Sequence, residues 1–326
     1  MVLRYVVRRV LWAIPTLLLI TFLVYVALRL GSNPVNTYLR SNPRASEAMV
    51  AEYVRLNGLD PNYLRGYLQW LGHFLAGDWP RSIKGSRAVW PVLKDSLANS
   101  LRLGGISTVL GIGVGVVIGT IAALRPGGKR DVAVNTGAFV GISIPPYVTA
   151  VLLQLLFAVY WSRWFGKGLL PTSGVYPPGQ TGFDLGLMLK HLILPSVVVA
   201  IQIVAIYARY MRASLLDVLG SDYIRTARAK GISEFRVLVR HGLRNALIPV
   251  VTITALDVGA IVGGLIITEN VFSYPGMGKY FLDAFGTGDF PLLMPWMVII
   301  VASVLVFNLI ADVSYKSLDP RVRLDG

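Results

Sequence analysis

The chain has 326 residues, of which 54% are hydrophobic and 15% charged, and 31 Lys and Arg against 17 Asp and Glu leave a formal charge of +14. A soluble domain of this length carries roughly a quarter charged residues, so the composition excludes an ordinary soluble enzyme and points to lipid as the solvent. Cysteine is absent, which excludes disulfides, thiolate metal sites and cysteine nucleophiles.

A membrane-spanning helix needs about 20 mainly apolar residues. In chain order, the segments of that length are 10–30, 98–124, 133–161, 191–211, 246–268 and 291–313, which predicts an all-α membrane protein of six transmembrane helices. The first follows Arg4, Arg8 and Arg9, as a signal peptide's apolar core would. It is too long for a cleaved signal and other spans follow it, so it reads as a retained anchor.

Residues 31–97 then read as a small helical insertion outside the cytoplasm. Asn57-Gly58 is a helix stop and Asp60-Pro61 a helix start. Leu64, Tyr67, Leu68, Leu71, Phe74 and Leu75 recur at helical spacing. They predict an amphipathic helix lying over the mouth of the bundle as structural cover.

In the second span, Gly111, Gly113, Gly115 and Gly119 superficially resemble a dinucleotide fingerprint, which would have to follow a strand. Inside an apolar span, small residues instead let helices approach closely. Gly127-Gly128-Lys129 lacks the phosphate-loop spacing and reads as a basic turn. The chain therefore shows no ATPase site of its own, and no enzyme is predicted.

The third span contains Ile144-Pro145-Pro146, which should break or kink it. Carbonyls freed there need protein or water partners. Ser143 and Pro145 at the break, Gln154 beyond it, Gln202 in the fourth span and Asp257 in the fifth are the candidate translocation-path residues. Asp257 is the clearest ionisable group within a span, and such groups default to function because burying charge in lipid is costly. It reads equally as a structural hydrogen-bond partner, as do Asn135, Gln154 and Gln202. His73, His191 and His241 are far apart and show no metal-ligand spacing.

The basic residues fall mainly in 1–9, 125–132, 212–245 and 314–326, and only Arg163, Lys167, Lys190 and Lys279 fall in 162–190 and 269–290. This asymmetry predicts both termini in the cytoplasm. It also accounts for the positive charge without nucleic acid. The loop between the fourth and fifth spans is too long for a plain connector. It reads as two short helices joined by Gly231-Ile232-Ser233, with Gly231 at a left-handed helix end and Ser233 as the next N-cap. The first helix offers Ala227 beside Ile224; the second shows Phe235, Leu238, Val239 and Leu243. A basic and apolar helix pair of this kind suits a bilayer surface or a partner's groove.

Two phrases in this loop, Asp222-Tyr223-Ile224-Arg225-Thr226-Ala227-Arg228-Ala229-Lys230-Gly231 and Arg240-His241-Gly242-Leu243-Arg244-Asn245-Ala246-Leu247-Ile248-Pro249, carry a resemblance. They are similar to the EAA loop of binding-protein-dependent ABC importer permeases, in the dipeptide/oligopeptide/nickel branch. The similarity continues through Arg8-Arg9, Ile14-Pro15, Gly58-Leu59-Asp60, Gly77-Asp78, Ser143-Ile144-Pro145, Glu269-Asn270-Val271-Phe272, Pro275-Gly276-Met277-Gly278, Asn308-Leu309 and Asp319-Pro320-Arg321-Val322. Arg225 stands at the general motif's glutamate, Arg244 at its proline, and Gly31-Ser32-Asn33-Pro34 where Pro-Gly-Asp-Pro is typical.

The resemblance implies a type I importer permease fold in a bacterial inner membrane. It divides the chain into 1–30 (N-terminal end and first helix), 31–97 (insertion), 98–313 (five-helix transmembrane domain with coupling loop 212–245) and 314–326 (cytoplasmic tail). The implied partners are a second homologous permease, two ATPases that bind ATP and Mg, and an extracytoplasmic peptide-binding protein; this chain itself holds no cofactor. Arg225, Thr226, Ala227, Arg228, Ala229, Lys230, Gly231, Ile232 and Ser233 are the residues expected to dock on the ATPase. Peptides are the expected substrates, with nickel, glutathione or haem as alternatives within the same architecture. An ion-gradient-driven secondary transporter is the alternative of another class.

Overall fold

The computed structural model describes residues 2–83, 87–180, 182–262 and 265–318, and the side chains of all of these except 2, 3, 252, 255–262, 311 and 314–318. The described residues are helical, and their extended pairing is limited to an isolated bridge between Arg81 and Ala88. The order is α1 (Val2–Gly31), α2 (Pro34–Ser41), α3 (Glu47–Leu56), α4 (Tyr63–Ala76), α5 (Val89–Ala123), α6 (Lys129–Ser143) and α7 (Pro146–Gln154). A π-helical turn (Leu155–Tyr160) leads into α8 (Trp161–Phe165), then α9 (Leu185–Leu219), α10 (Asp222–Ala229) and α11 (Glu234–Arg236). A second π-helical turn (Val237–Leu243) leads into α12 (Arg244–Val262), followed by α13 (Ile266–Val271), α14 (Met277–Thr287) and α15 (Phe290–Leu318).

Among the described residues, 5 helical stretches are long and apolar enough to cross a membrane: Arg4–Gly31, Val89–Ala123, Pro146–Phe165, Leu185–Leu219 and Phe290–Ile310. The second begins at Val89, ahead of the expected 98, because the preceding turns already carry Val89, Trp90, Val92 and Leu93. The segment expected at 133–161 is interrupted: α6 stops at Ser143 and α7 starts at Pro146. The expected span 246–268 falls partly on residues outside those described.

The chain divides into two units. The first is built mainly from Met1–Ser100 and Pro275–Val313. Its short helices start on local caps: Asn33 accepts from the Asn36 N–H, Ser46 from Met49 and Asn62 from Arg65, each satisfying a donor that the first helical turn leaves open. Tyr25 of α1, Tyr53 of α3, Tyr67 and Trp70 of α4, and Phe290 and Met294 of α15 form one buried cluster. Arg29 donates to the Asp60 carbonyl at 2.7 Å, and the Thr21 and Tyr67 hydroxyls meet at 2.7 Å. Gly58, at φ +58°, backs onto Gly66, where a Cβ would strike the Gly66 carbonyl. The expected apolar face of α4 is therefore only half right. Gly66, Tyr67 and Trp70 point inward, whereas Leu64, Leu68 and Leu75 are exposed, because the helix turns its aromatic and glycine side to the core.

A second cluster in this unit joins Val89 and Leu93 of α5 to Met277, Leu292, Leu293 and Trp296. Asn99 donates to the Pro275 carbonyl, Ser100 Oγ accepts the Met277 N–H, and Trp296 Nε1 donates to the Met277 carbonyl. Pro275-Gly276-Met277-Gly278 is thus a packed joint. A Cβ on Gly278 would lie 2.6 Å from Ile266 Cα.

The second unit is built mainly from Leu101–Val258 and Ile267–Tyr274. Gly111, Gly115 and Gly119 lie on one face of α5 and meet Ile203, Tyr207 and Ala208 of α9. A Cβ at Gly119 would sit 2.4 Å from the Ala208 carbonyl oxygen, while one at Gly113 would meet nothing within 4 Å. Close helix packing is what these glycines serve, Gly113 excepted. Below this contact, Ala123, Tyr207, Met211, Leu215, Ala246 and Val250 form a buried cluster of α5, α9 and α12.

Candidate functional site

The break in the third segment shows how its backbone is satisfied. A helix carrying a residue with an N–H at 145 would cap the Gly141 carbonyl, but Pro145 has no donor. Gln202 of α9 supplies the missing bond, donating Nε2 to the Gly141 carbonyl at 2.8 Å and to the Ile144 carbonyl at 3.1 Å. The structure thus brings Ser143, Pro145 and Gln202 together. Ser143 and Pro145 are exposed, and Ser143 Oγ donates to the Phe139 carbonyl. Gln154 lies apart from them and donates to the Thr172 and Val271 carbonyls at 3.0 and 3.1 Å. The side chain of Asp257 lies outside those described. Among the described residues, no three His, Asp or Glu side chains gather as a metal site.

The loop 220–243 is the second candidate. Helix α9 runs on to Leu219, so 212–219 is helix where a loop was expected. Helix α10 ends at Ala229, and Gly231 follows at φ +73° with its N–H on the Arg228 carbonyl at 2.9 Å. Positive φ there is strained for residues with a Cβ and free for glycine. Ser233 sits at the N-cap of α11 in extended geometry, without a side-chain cap bond. The expected second short helix is instead the start of a long one, since α11, the π turn and α12 follow one another without a break. The apolar run of the fifth segment starts where the loop helix ends, so no turn residue separates them. A π turn inserts an extra residue per turn and is frequent at functional sites.

Arg228 closes this loop by donating Nη2 and Nε to the two Glu234 carboxylate oxygens at 2.6 and 3.1 Å. That guanidinium holds the Glu234 carboxyl below the usual range. Ile224, Ala227 and Val237 are buried together inside the loop. Ala227 therefore serves as a small residue that lets α10 sit on Val237. The outward face consists of Arg225, Thr226, Arg228, Ala229, Lys230, Gly231 and Ser233, joined by Phe235, which is 77% exposed. Ile232 is half-buried beneath them. A basic rim beside a bare aromatic ring is how anchor residues are commonly presented to a partner's pocket.

Asp131, at the start of α6, escaped sequence reading. It is 3% exposed, and it accepts from Arg212 Nε and Nη2 at 2.5 and 2.7 Å, from the Gly127 N–H at 2.8 Å and from Asn135 Nδ2 at 2.7 Å. Arg212 first, and then the Gly127 N–H, hold its carboxyl down at about 2, so the pair stays ionised at any pH near neutrality. The pair fastens the turn before α6 to the end of α9, ten residues before α10 begins. The available signal was a lone carboxylate among Arg125, Lys129 and Arg130 at a helix start.

Residues 115–324 match the family of the binding-protein-dependent transport system inner membrane component. The oligopeptide transport system permease protein AppB of Bacillus subtilis is 40% identical over 321 residues, 98% of both chains. OppB of Mycobacterium tuberculosis, an oligopeptide transport system permease protein, is 38% identical over 98% of this chain and 99% of its own. The di/tripeptide permease DppB of Pseudomonas aeruginosa is 33% identical over 98% and 99%. Among solved structures, a chain of the inward-facing methionine ABC transporter MetNI shares the fold with TM-score 0.54 and 17% identity, over 70% of this chain and 96% of that one. A chain of an amino acid ABC transporter crystallised with histidines aligns at TM-score 0.51 and 14% identity over 70% and 94%. On the family match and these near full-length relatives, the chain belongs to the inner membrane components of binding-protein-dependent ABC transport systems.

Proposed function

We propose that this chain is one permease subunit of an ATP-driven, binding-protein-dependent importer of peptides, forming half of the translocation path beside a second homologous permease. The observation that carries the reading is the end-to-end likeness to a permease named for oligopeptide transport. The di/tripeptide relative supports the same substrate class. Two ATPases would bind ATP and Mg, and an extracytoplasmic protein would deliver the peptide. The exposed rim of Arg225, Thr226, Arg228, Ala229, Lys230, Gly231 and Ser233, with Ala227 and Ile232 beneath it, would seat the ATPase. Because α11 continues toward α12 without a turn, rotation of a docked ATPase would tilt a membrane helix directly, a rigid-body coupling. Ser143, Pro145, Gln154, Gln202 and Asp257 stay as candidate path residues; both donors of the Gln202 amide serve the break, which makes it a positioning residue for the path.

The membrane domain is 98–313 in this reading, with six spans, the fifth of them at 246–268. Residues 31–97 form an insertion outside the cytoplasm, while 1–9, the loop and 314–326 are cytoplasmic. With no native cysteine, Leu75→Cys should react with an impermeant thiol reagent in intact cells and Ser233→Cys should not; the reverse pattern would invert the orientation. Substrate class is tested by reconstituting the whole complex with its binding protein in liposomes. ATP-dependent accumulation of labelled di- to oligopeptides is the expected result. Nickel uptake without peptide uptake would overturn the substrate while keeping the importer, and gradient-driven uptake without any ATPase would overturn both.

A further inference from the structure

From the first unit we infer a binding site for an anionic phospholipid, in the groove between the N-terminal half of α1 and the C-terminal half of α15. The groove has a volume of about 390 Å³. Ala13 and Ala302 make room in it, Leu17, Leu305 and Leu309 line it with apolar surface, and Arg9 and Trp12 stand at one end. Both helices are among those long and apolar enough to span a bilayer. In lipid, an apolar groove does not choose its occupant, because acyl tails are as apolar as leucine. Selection has to come from the mouth.

That mouth is built for negative charge. Arg4, Arg8 and Arg9 lie exposed at the same end of α1, and Arg9, which shares a helix face with Tyr5, meets the Asp312 carboxylate of α15. Arg9 Nη2 is 3.0 Å from Asp312 Oδ2, and Tyr5 Oη donates to that same oxygen at 3.1 Å. Asp312 therefore holds Arg9 over the groove's end while using one edge of its guanidinium. The Arg9 side chain keeps 54% of its surface exposed, and a guanidinium matches a phosphate with paired N–H donors. Trp12, 66% exposed, sits one turn deeper, at the level where an indole lies between head groups and chains. Basic pockets between membrane helices bind acidic lipid head groups by this combination.

The test uses the full chain, with the subunits that purify with it, in nanodiscs of a zwitterionic phosphatidylcholine. Brominated phosphatidylglycerol or brominated phosphatidylcholine is added at equal low mole fraction, and quenching assigned to Trp12 is the difference from a Trp12→Phe reference. Phosphatidylglycerol should quench with about fivefold higher apparent affinity, the factor one surface arginine contributes. Arg9→Gln should abolish that preference. Asp312→Asn should raise it, because it removes the competing carboxylate. Equal quenching by the two lipids overturns the site, and so does no quenching by either, which would mean that protein covers the groove. An unchanged or lowered preference in Asp312→Asn overturns it too, since the Arg9–Asp312 pair would then be only a clamp between helices.

Discussion

Replacing Gly231 with proline is expected to abolish ATP-dependent peptide uptake while leaving the chain in the membrane near its normal level. Gly231 holds φ at +73° and donates its N–H to the Arg228 carbonyl. Proline locks φ near −65° and has no N–H, so both features of the turn fail at once. Arg228 and Glu234 lie on opposite sides of this turn, and their paired contact at 2.6 and 3.1 Å depends on it. The rim that would meet the ATPase loses its shape, and the start of α11 loses its direction. Gly231→Ala is the graded control, because it keeps the N–H and costs roughly 1 kcal/mol for a left-handed residue; it should retain part of the uptake. Membrane insertion depends on the apolar spans and not on this turn. Uptake and ATPase activity measured on the same purified complexes decide the matter: full uptake by Gly231→Pro would remove the loop from the coupling role.

The second large effect is on stability. Gly119→Ala adds a single carbon, yet that carbon would sit 2.4 Å from the Ala208 carbonyl oxygen and 2.9 Å from Met211 Cβ. A backbone atom cannot rotate away, so α5 and α9 must separate. Overpacking of this kind costs roughly 1–3 kcal/mol. For a chain of this size the melting midpoint should fall by about 2–4 °C. Gly113→Ala, only six residues away on the exposed side of the same helix, meets nothing within 4 Å and should be neutral or slightly stabilising, because alanine is the better helix former. Thermal unfolding of the two purified variants, side by side, provides the comparison. A similar loss in both would indicate that glycine flexibility, and not close packing, is what α5 requires.

What the sequence determined by itself are the properties that each segment owns. Apolar runs of membrane length placed the chain in lipid, since transfer energy depends on the segment alone. Pro145-Pro146 ended α6 because two consecutive residues lack a donor, and Gly231 marked its turn because glycine accepts positive φ. The motifs of the loop pointed to its family before any contact was visible. What only the tertiary structure decided is which groups meet. Gln202 lies 58 residues from Ile144, and Arg212 lies 81 residues from Asp131; no local pattern couples positions so far apart. The inward face of α4, the burial of Ala227 under Val237 and the exclusion of Gly113 from the glycine seam were fixed the same way. Helical spacing tells which residues share a face, but the neighbour packed against the helix decides which face is buried.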